Sequence, residues 1–297
     1  MVLNEKQEYL FEKKSILGAI FSLALPSIIS QIILVIYNMA DTFFIGIAAG
    51  QPYYAQSGLG PALISGVTIC MPIYVLLTAI SNLFGIGAAS VMSRSLGKKK
   101  YERAKNASRF AIYGCLITSV VYVLLIFATL NPLVSFISGN NDLAVPYAKT
   151  YLLWTVVICG VPTALNTLFA HLIRAEGKSV HASIGITMGG LLNVALDPLF
   201  IFICFDIKDA AFAAALATGI SNVIAFLYYV IVFIITKKGS FISFKIKKSI
   251  FNDNVPREVL TIGLPACLMT LFENISYMVL DNLIANSSSD ATKQAFE

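Results

Sequence analysis

Seven apolar stretches, each long enough to cross a bilayer, constrain this chain more than any other feature. They lie near 16–40, 59–92, 110–136, 148–173, 181–205, 211–235 and 259–285, separated by short polar or basic segments. A hydrocarbon core of roughly 30 Å needs about 20 apolar residues per helix. The runs are continuous and do not alternate with period two, so helices are expected and a barrel is not. Composition agrees: 12% of the residues are charged, against roughly 25% in soluble domains. The fold class is therefore all-α, a polytopic membrane protein, with Pro61, Pro72 and the GIGAAS run at 85–90 offering breaks in the long second stretch.

The placement of Lys and Arg sets the expected topology. Three lie in the leader (Lys6, Lys13, Lys14), seven in RSLGKKKYERAKNASR, two in the RAEGK turn and six between Lys237 and Arg257. The opposite side and the tail hold three, Lys149, Lys208 and Lys293. This asymmetry predicts a cytoplasmic N-terminus in the cell membrane. The net charge of +5 thereby describes the leaflet that the loops face and excludes a nucleic-acid partner. MVLNEKQEYLFEKK precedes a run too long for a signal peptide, so the first span is expected to be retained. Cys70, Cys115, Cys159, Cys204 and Cys267 are scattered over different spans without CxxC spacing and read as small apolar residues.

The chain contains a modest internal repeat. SLALPSIISQIILVIYNMADTFFIGI, from Ser22, and TIGLPACLMTLFENISYMVLDNLIAN, from Thr261, each follow a basic segment and carry a Leu-Pro one turn into the span. An Asp follows that Pro by fifteen residues in one and sixteen in the other. The expected organisation is a six-helix lobe over 1–236, a basic cytoplasmic linker over 237–257, and the first helix of a second, truncated bundle with a polar tail over 258–297. Two such lobes would be parallel repeats. A complete seven-helix receptor would place the N-terminus outside, and a retinal protein needs a Lys that the seventh span lacks.

Ionisable residues inside spans are costly and mark function by default. Here they are Asp41, Asp197, Glu273 and, at the margin, Asp281; His171, close to Arg174, is expected at the interface. Tyr37 and Asn38, at i−4 and i−3, share a helix face with Asp41. The competing reading places Asp41 at the outer interface, ending the helix. In GGLLNVALDPLFIF, Asn193 and Asp197 also share a face, and Thr218 in the sixth span adds an oxygen. Carboxylate, amide and hydroxyl oxygens suit Na+ or a proton. Two carboxylates in one low-dielectric bundle cannot comfortably both be ionised, so the pair can take up and lose a coupling ion. No phosphate-binding loop or nucleophile motif accompanies them, and neither an enzyme nor an organic cofactor is expected.

LALPSIISQIILVIYNMADTFFIG, the small-residue-rich second span ending SRSLGKKKYERAKN, and LIRAEGKSVHASIGITMGGLLNVALDPLFIF together resemble the multidrug and toxic compound extrusion (MATE) family. The resemblance covers the first half of such a transporter and one helix more. It implies a twelve-helix, two-lobe antiporter that exports amphipathic, often cationic organic compounds in exchange for H+ or Na+. It also implies that Asp41, Tyr37, Asn193, Asp197 and Thr218 form the coupling site, that Pro26 is a hinge, and that Glu273 is an acidic group of the second lobe. Asn38 and Asn166 are then candidates for the substrate cavity. The alternatives are a lipid-linked saccharide flippase of the same superfamily, which would line its cavity with Arg or Lys, and a non-transporting remnant.

Overall fold

The computed structural model describes residues 15–139, 141–245 and 254–296, with side chains in the last helix followed as far as Val279. The leader lysines, linker residues 246–253 and the side chains of Asn38, Asp281 and Lys293 lie outside the described residues. Among the described residues all regular structure is helical. Six helices are long and apolar enough to span a membrane: Ile20–Ala49, Gly60–Gly97, Tyr101–Ser138, Ser179–Cys204, Ile207–Thr236 and Val255–Ser276. The pair Asp142–Ile158 and Gly160–Ala175, bent by 53°, makes a seventh if taken as one span. Leu17, Phe21, Met39 and Phe43 of the first span, and Leu124, Leu125 and Phe127 of the third, project outward, as lipid-facing positions do.

Helix ends differ from the expected ones where polar residues are turned inward or sit at an interface. The first helix runs from Ile16 to Ala49 and passes straight through Asp41. Most of RSLGKKKYERAKNASR is helical: the second span continues to Gly97 and the third begins at Tyr101, leaving only Lys98–Lys100 between them. Long basic side chains tolerate this by carrying their charge past the helix end. The second span breaks at Ile69 and Cys70, and Pro72 sits in the first turn of the resumed helix, where its missing N–H costs nothing.

GIGAAS does not break the helix; its glycines serve contact. A Cβ at Gly87 would run into the carbonyl of Val259, and one at Gly263 into that of Leu83, so the second and seventh helices meet backbone to backbone. Gly85 admits the ring of His171. The expected interfacial position of His171 is corrected accordingly: its Nε2 lies 3.1 Å from Asn82 Oδ1, and Asn82 Nδ2 donates to Thr270 Oγ1 of the seventh helix at 3.0 Å. Pro26 and Pro265 each lie ten residues after the first residue of their helices, Ile16 and Val255, nearly three turns in where one turn is expected.

At the end of the bundle that carries the basic segments, the chain leaving the sixth span is fastened across the lobe. Glu176, fully buried, accepts hydrogen bonds from Ser240 Oγ (2.7 Å), from the amides of Phe241 and Ile242 (the latter at 3.0 Å), and from Lys178 Nζ at 2.7 Å. Phe241 stacks on Tyr101, and Phe244 on Phe169. Tyr113 donates to the Phe244 carbonyl at 2.6 Å. Removing one partner of a buried pair costs about 3–5 kcal/mol, chiefly by orphaning the other groups. Glu176→Ala is expected to lower the melting temperature in detergent and to open the 240–245 segment to protease; an unchanged melt and digest would contradict this fastening role.

Candidate coupling-ion site

The first and fifth spans run parallel and in register. Ser30 Oγ meets Ser183 Oγ at 3.4 Å, and a Cβ on Gly190 would lie 3.5 Å from Cβ of Tyr37. One further step of seven residues along the fifth span brings Asp197 opposite Asp41, and the two carboxyl groups come within hydrogen-bonding reach of each other. The sixth span joins closely because Ala213, Ala214, Ala215 and Ala217 are all buried, and Gly219 accommodates Cys159 of the bent fourth span.

Around the pair the polar side chains form one network. Asp41 is 6% exposed, Asn193 1% and Asp197 0%. Asn193 uses both amide hydrogens, donating to Asp197 Oδ1 at 3.3 Å and to Thr218 Oγ1 at 3.2 Å. Tyr151, from the fourth span, donates to Asp41 Oδ2 at 3.4 Å. Tyr37 is hydrogen-bonded to Tyr74 of the second span. Asn222, one turn past Thr218, donates to the Thr218 carbonyl at 3.0 Å and accepts from Asn166 at 3.1 Å.

Three oxygens are left over. Asp41 Oδ1, Asp197 Oδ2 and Asn193 Oδ1 are buried acceptors with no hydrogen-bond donor among the described residues. Two carboxyl groups in contact, with acceptors unfilled, are satisfied by a positive charge between them and by little else. An all-oxygen set of two carboxylates, an amide and a hydroxyl fits Na+, and the carboxyl pair alone fits a shared proton.

The residues expected at this site from the sequence are brought together: Tyr37, Asp41, Asn193, Asp197 and Thr218, with Asn166 at the edge of the network. The reading of Asp41 as a helix end is excluded, since the helix runs eight residues further and the side chain is buried. Glu273 is exposed on the seventh helix and makes no hydrogen bond or ion pair among the described residues. Tyr74, Tyr151 and Asn222 were not anticipated. A signal existed for Asn222, four residues after Thr218 on the same helix face, and for Tyr151, a phenol within an apolar span.

Residues 26–199 match the MatE family model, which takes in more than half of the chain. The multidrug export protein MepA of Staphylococcus aureus is 30% identical over 285 residues, and that of Staphylococcus saprophyticus 31%. These alignments take in 96% and 95% of this chain, which spans 59% of the length of either relative. Among solved structures, a MATE transporter in complex with MaD5 superposes with a TM-score of 0.79 at 22% identity, covering 95% of this chain and 60% of the other. An outward-facing MATE family transporter gives 0.75 at 24%, covering 95% and 58%. With the family model, the helical fold and these relatives in agreement, the chain is a multi-pass membrane protein belonging to the MATE family.

Proposed function

We propose that this chain forms the first lobe, and the opening helix of the second, of an ion-driven exporter of amphipathic organic cations, with Asp41 and Asp197 as its coupling site. The observation that carries the reading is the meeting of these two buried carboxyl groups, each with one oxygen lacking a donor among the described residues. Such a pair binds a proton or Na+ when packed as here and releases it when the first span shifts against the fifth. Pro26 lies 15 residues before Asp41 in the same helix and removes one hydrogen bond, giving the span a place to bend.

Export fits the names of the relatives, both of them multidrug export proteins. Cationic substrates fit a site whose charged members are acidic and whose remaining members, Tyr74, Asn166 and Asn222, are neutral; a flippase holding pyrophosphate would need Arg or Lys there. The lysine and arginine distribution supports a cytoplasmic N-terminus in the cell membrane. Asn38 and Glu273 belong to the proposal as members of the substrate cavity and of the second lobe's acidic site.

Asp41→Asn and Asp197→Asn, introduced into a full-length transporter carrying this lobe, are each expected to reduce ion-driven efflux of a fluorescent organic cation at least tenfold. Wild-type efflux in both would overturn the assignment. Asn193→Ala removes both donated hydrogen bonds at once, and leaving buried acceptors unpaired costs about 1–3 kcal/mol. Its melting temperature in detergent should fall, and the protection given by added Na+ or by acid should shrink; an unaltered melt would show that Asn193 does not hold the pair.

A further inference from the structure

A second built site lies at the opposite end of the lobe, away from the carboxyl pair. The end of the second span, the start of the third and the first turn of the seventh helix frame an open pocket of about 120 Å³, lined by Val91, Arg94, Ser95, Lys98, Lys100, Arg103 and Glu258. That is many times the space one water requires. Four cations face one carboxylate. Arg103 pairs with Glu258 at 2.6 Å and Arg94 reaches it only at 4.0 Å, while Lys98 and Lys100 make no ion pair or hydrogen bond through their side chains among the described residues. Ser95, 4% exposed, lines the same wall. Its hydroxyl adds a neutral hydrogen-bonding group to the basic lining.

We propose that this cavity binds a phosphate group, of the kind presented by an anionic phospholipid headgroup or by a soluble phosphate. A hydroxyl donor and a surplus of Lys and Arg around one small volume are the chemistry that recognises phosphate oxygens. The location, at the rim of three apolar spans, is where a headgroup lies. Glu258 is the competing anion. It sits in the first turn of the seventh helix, so a phosphate that captures Arg103 loosens the tie between the lobe and that helix.

The test uses the purified chain in neutral detergent, with bound lipid counted by native mass spectrometry in titrations of short-chain phosphatidylglycerol, phosphatidylcholine and inorganic phosphate. Phosphatidylglycerol should bind saturably and at least fivefold more tightly than phosphatidylcholine. Lys98→Gln with Lys100→Gln, both exposed and so harmless to folding, should weaken it about tenfold, whereas Glu258→Gln should tighten it several-fold. Lys237→Gln with Lys245→Gln, an equal charge loss elsewhere at the same end, should leave it unchanged. Displacement of the lipid by inorganic phosphate at comparable concentration assigns the site to a soluble phosphate, and failure of displacement assigns it to the headgroup; both uphold phosphate recognition. Equal binding of the two lipids, no effect of Lys98→Gln with Lys100→Gln, or the same loss in the control pair would overturn the site.

Discussion

Two carboxyl groups buried against each other in a helical bundle cannot both keep a negative charge without a cation between them. In a low-dielectric interior the repulsion and the lost hydration are each large compared with the few kcal/mol that separate folded conformations. In the function proposed, the Asp41–Asp197 contact ties the packing of the first and fifth spans to the presence of a proton or a metal cation. Everything close to the pair serves that tie: Asn193 fixes one carboxyl, Tyr151 the other, and Thr218 supplies a further oxygen. The unfilled acceptors mark where the positive charge belongs.

The meeting of the carboxyl groups depends on small residues placed elsewhere. Ser183, Gly190 and Asp197 recur every seven residues along one stripe of the fifth span, and Ser30 and Tyr37 repeat the interval in the first. A seven-residue stripe keeps two helices in contact over several turns. Tyr37 packs over Gly190, and the buried alanines of the sixth span bring Thr218 to Asn193. The same device, with Gly87 and Gly263, seats the seventh helix against the second span. Contact through glycine and alanine brings the backbones together with little side-chain interlocking.

Much of this is legible in the residues alone. Hydrophobic length alone points to seven spans, of which six stand as single long helices among the described residues and the fourth as a bent pair. The rarity of charge inside them singles out Asp41 and Asp197, and i, i+4 spacing attaches Tyr37 and Asn193. Helix ends were less legible: nothing local says that Asp41 points inward, so a helix stop there and a helix running on to Ala49 read alike. The place of His171 is hidden for the same reason, since its partner Asn82 is 89 residues away in sequence. Tyr74, Tyr151 and Asn222 enter the site through contacts between different spans, which periodicity within one helix does not report. The bend in the fourth span and the fastening of Phe241 and Ile242 by Glu176 are likewise products of tertiary packing.

Infrared difference spectroscopy of the purified protein in lipid, comparing low with high pH and sodium-free with sodium-loaded samples, tests the central claim most directly. If Asp41 and Asp197 share the proton, one protonated-carboxyl band appears, is suppressed by high pH or Na+, and changes its frequency or pH range in both Asp41→Asn and Asp197→Asn, because each carboxyl has the other as its partner. A band unchanged in both variants, or one that a single substitution alters while the other leaves it intact, would contradict a shared coupling site.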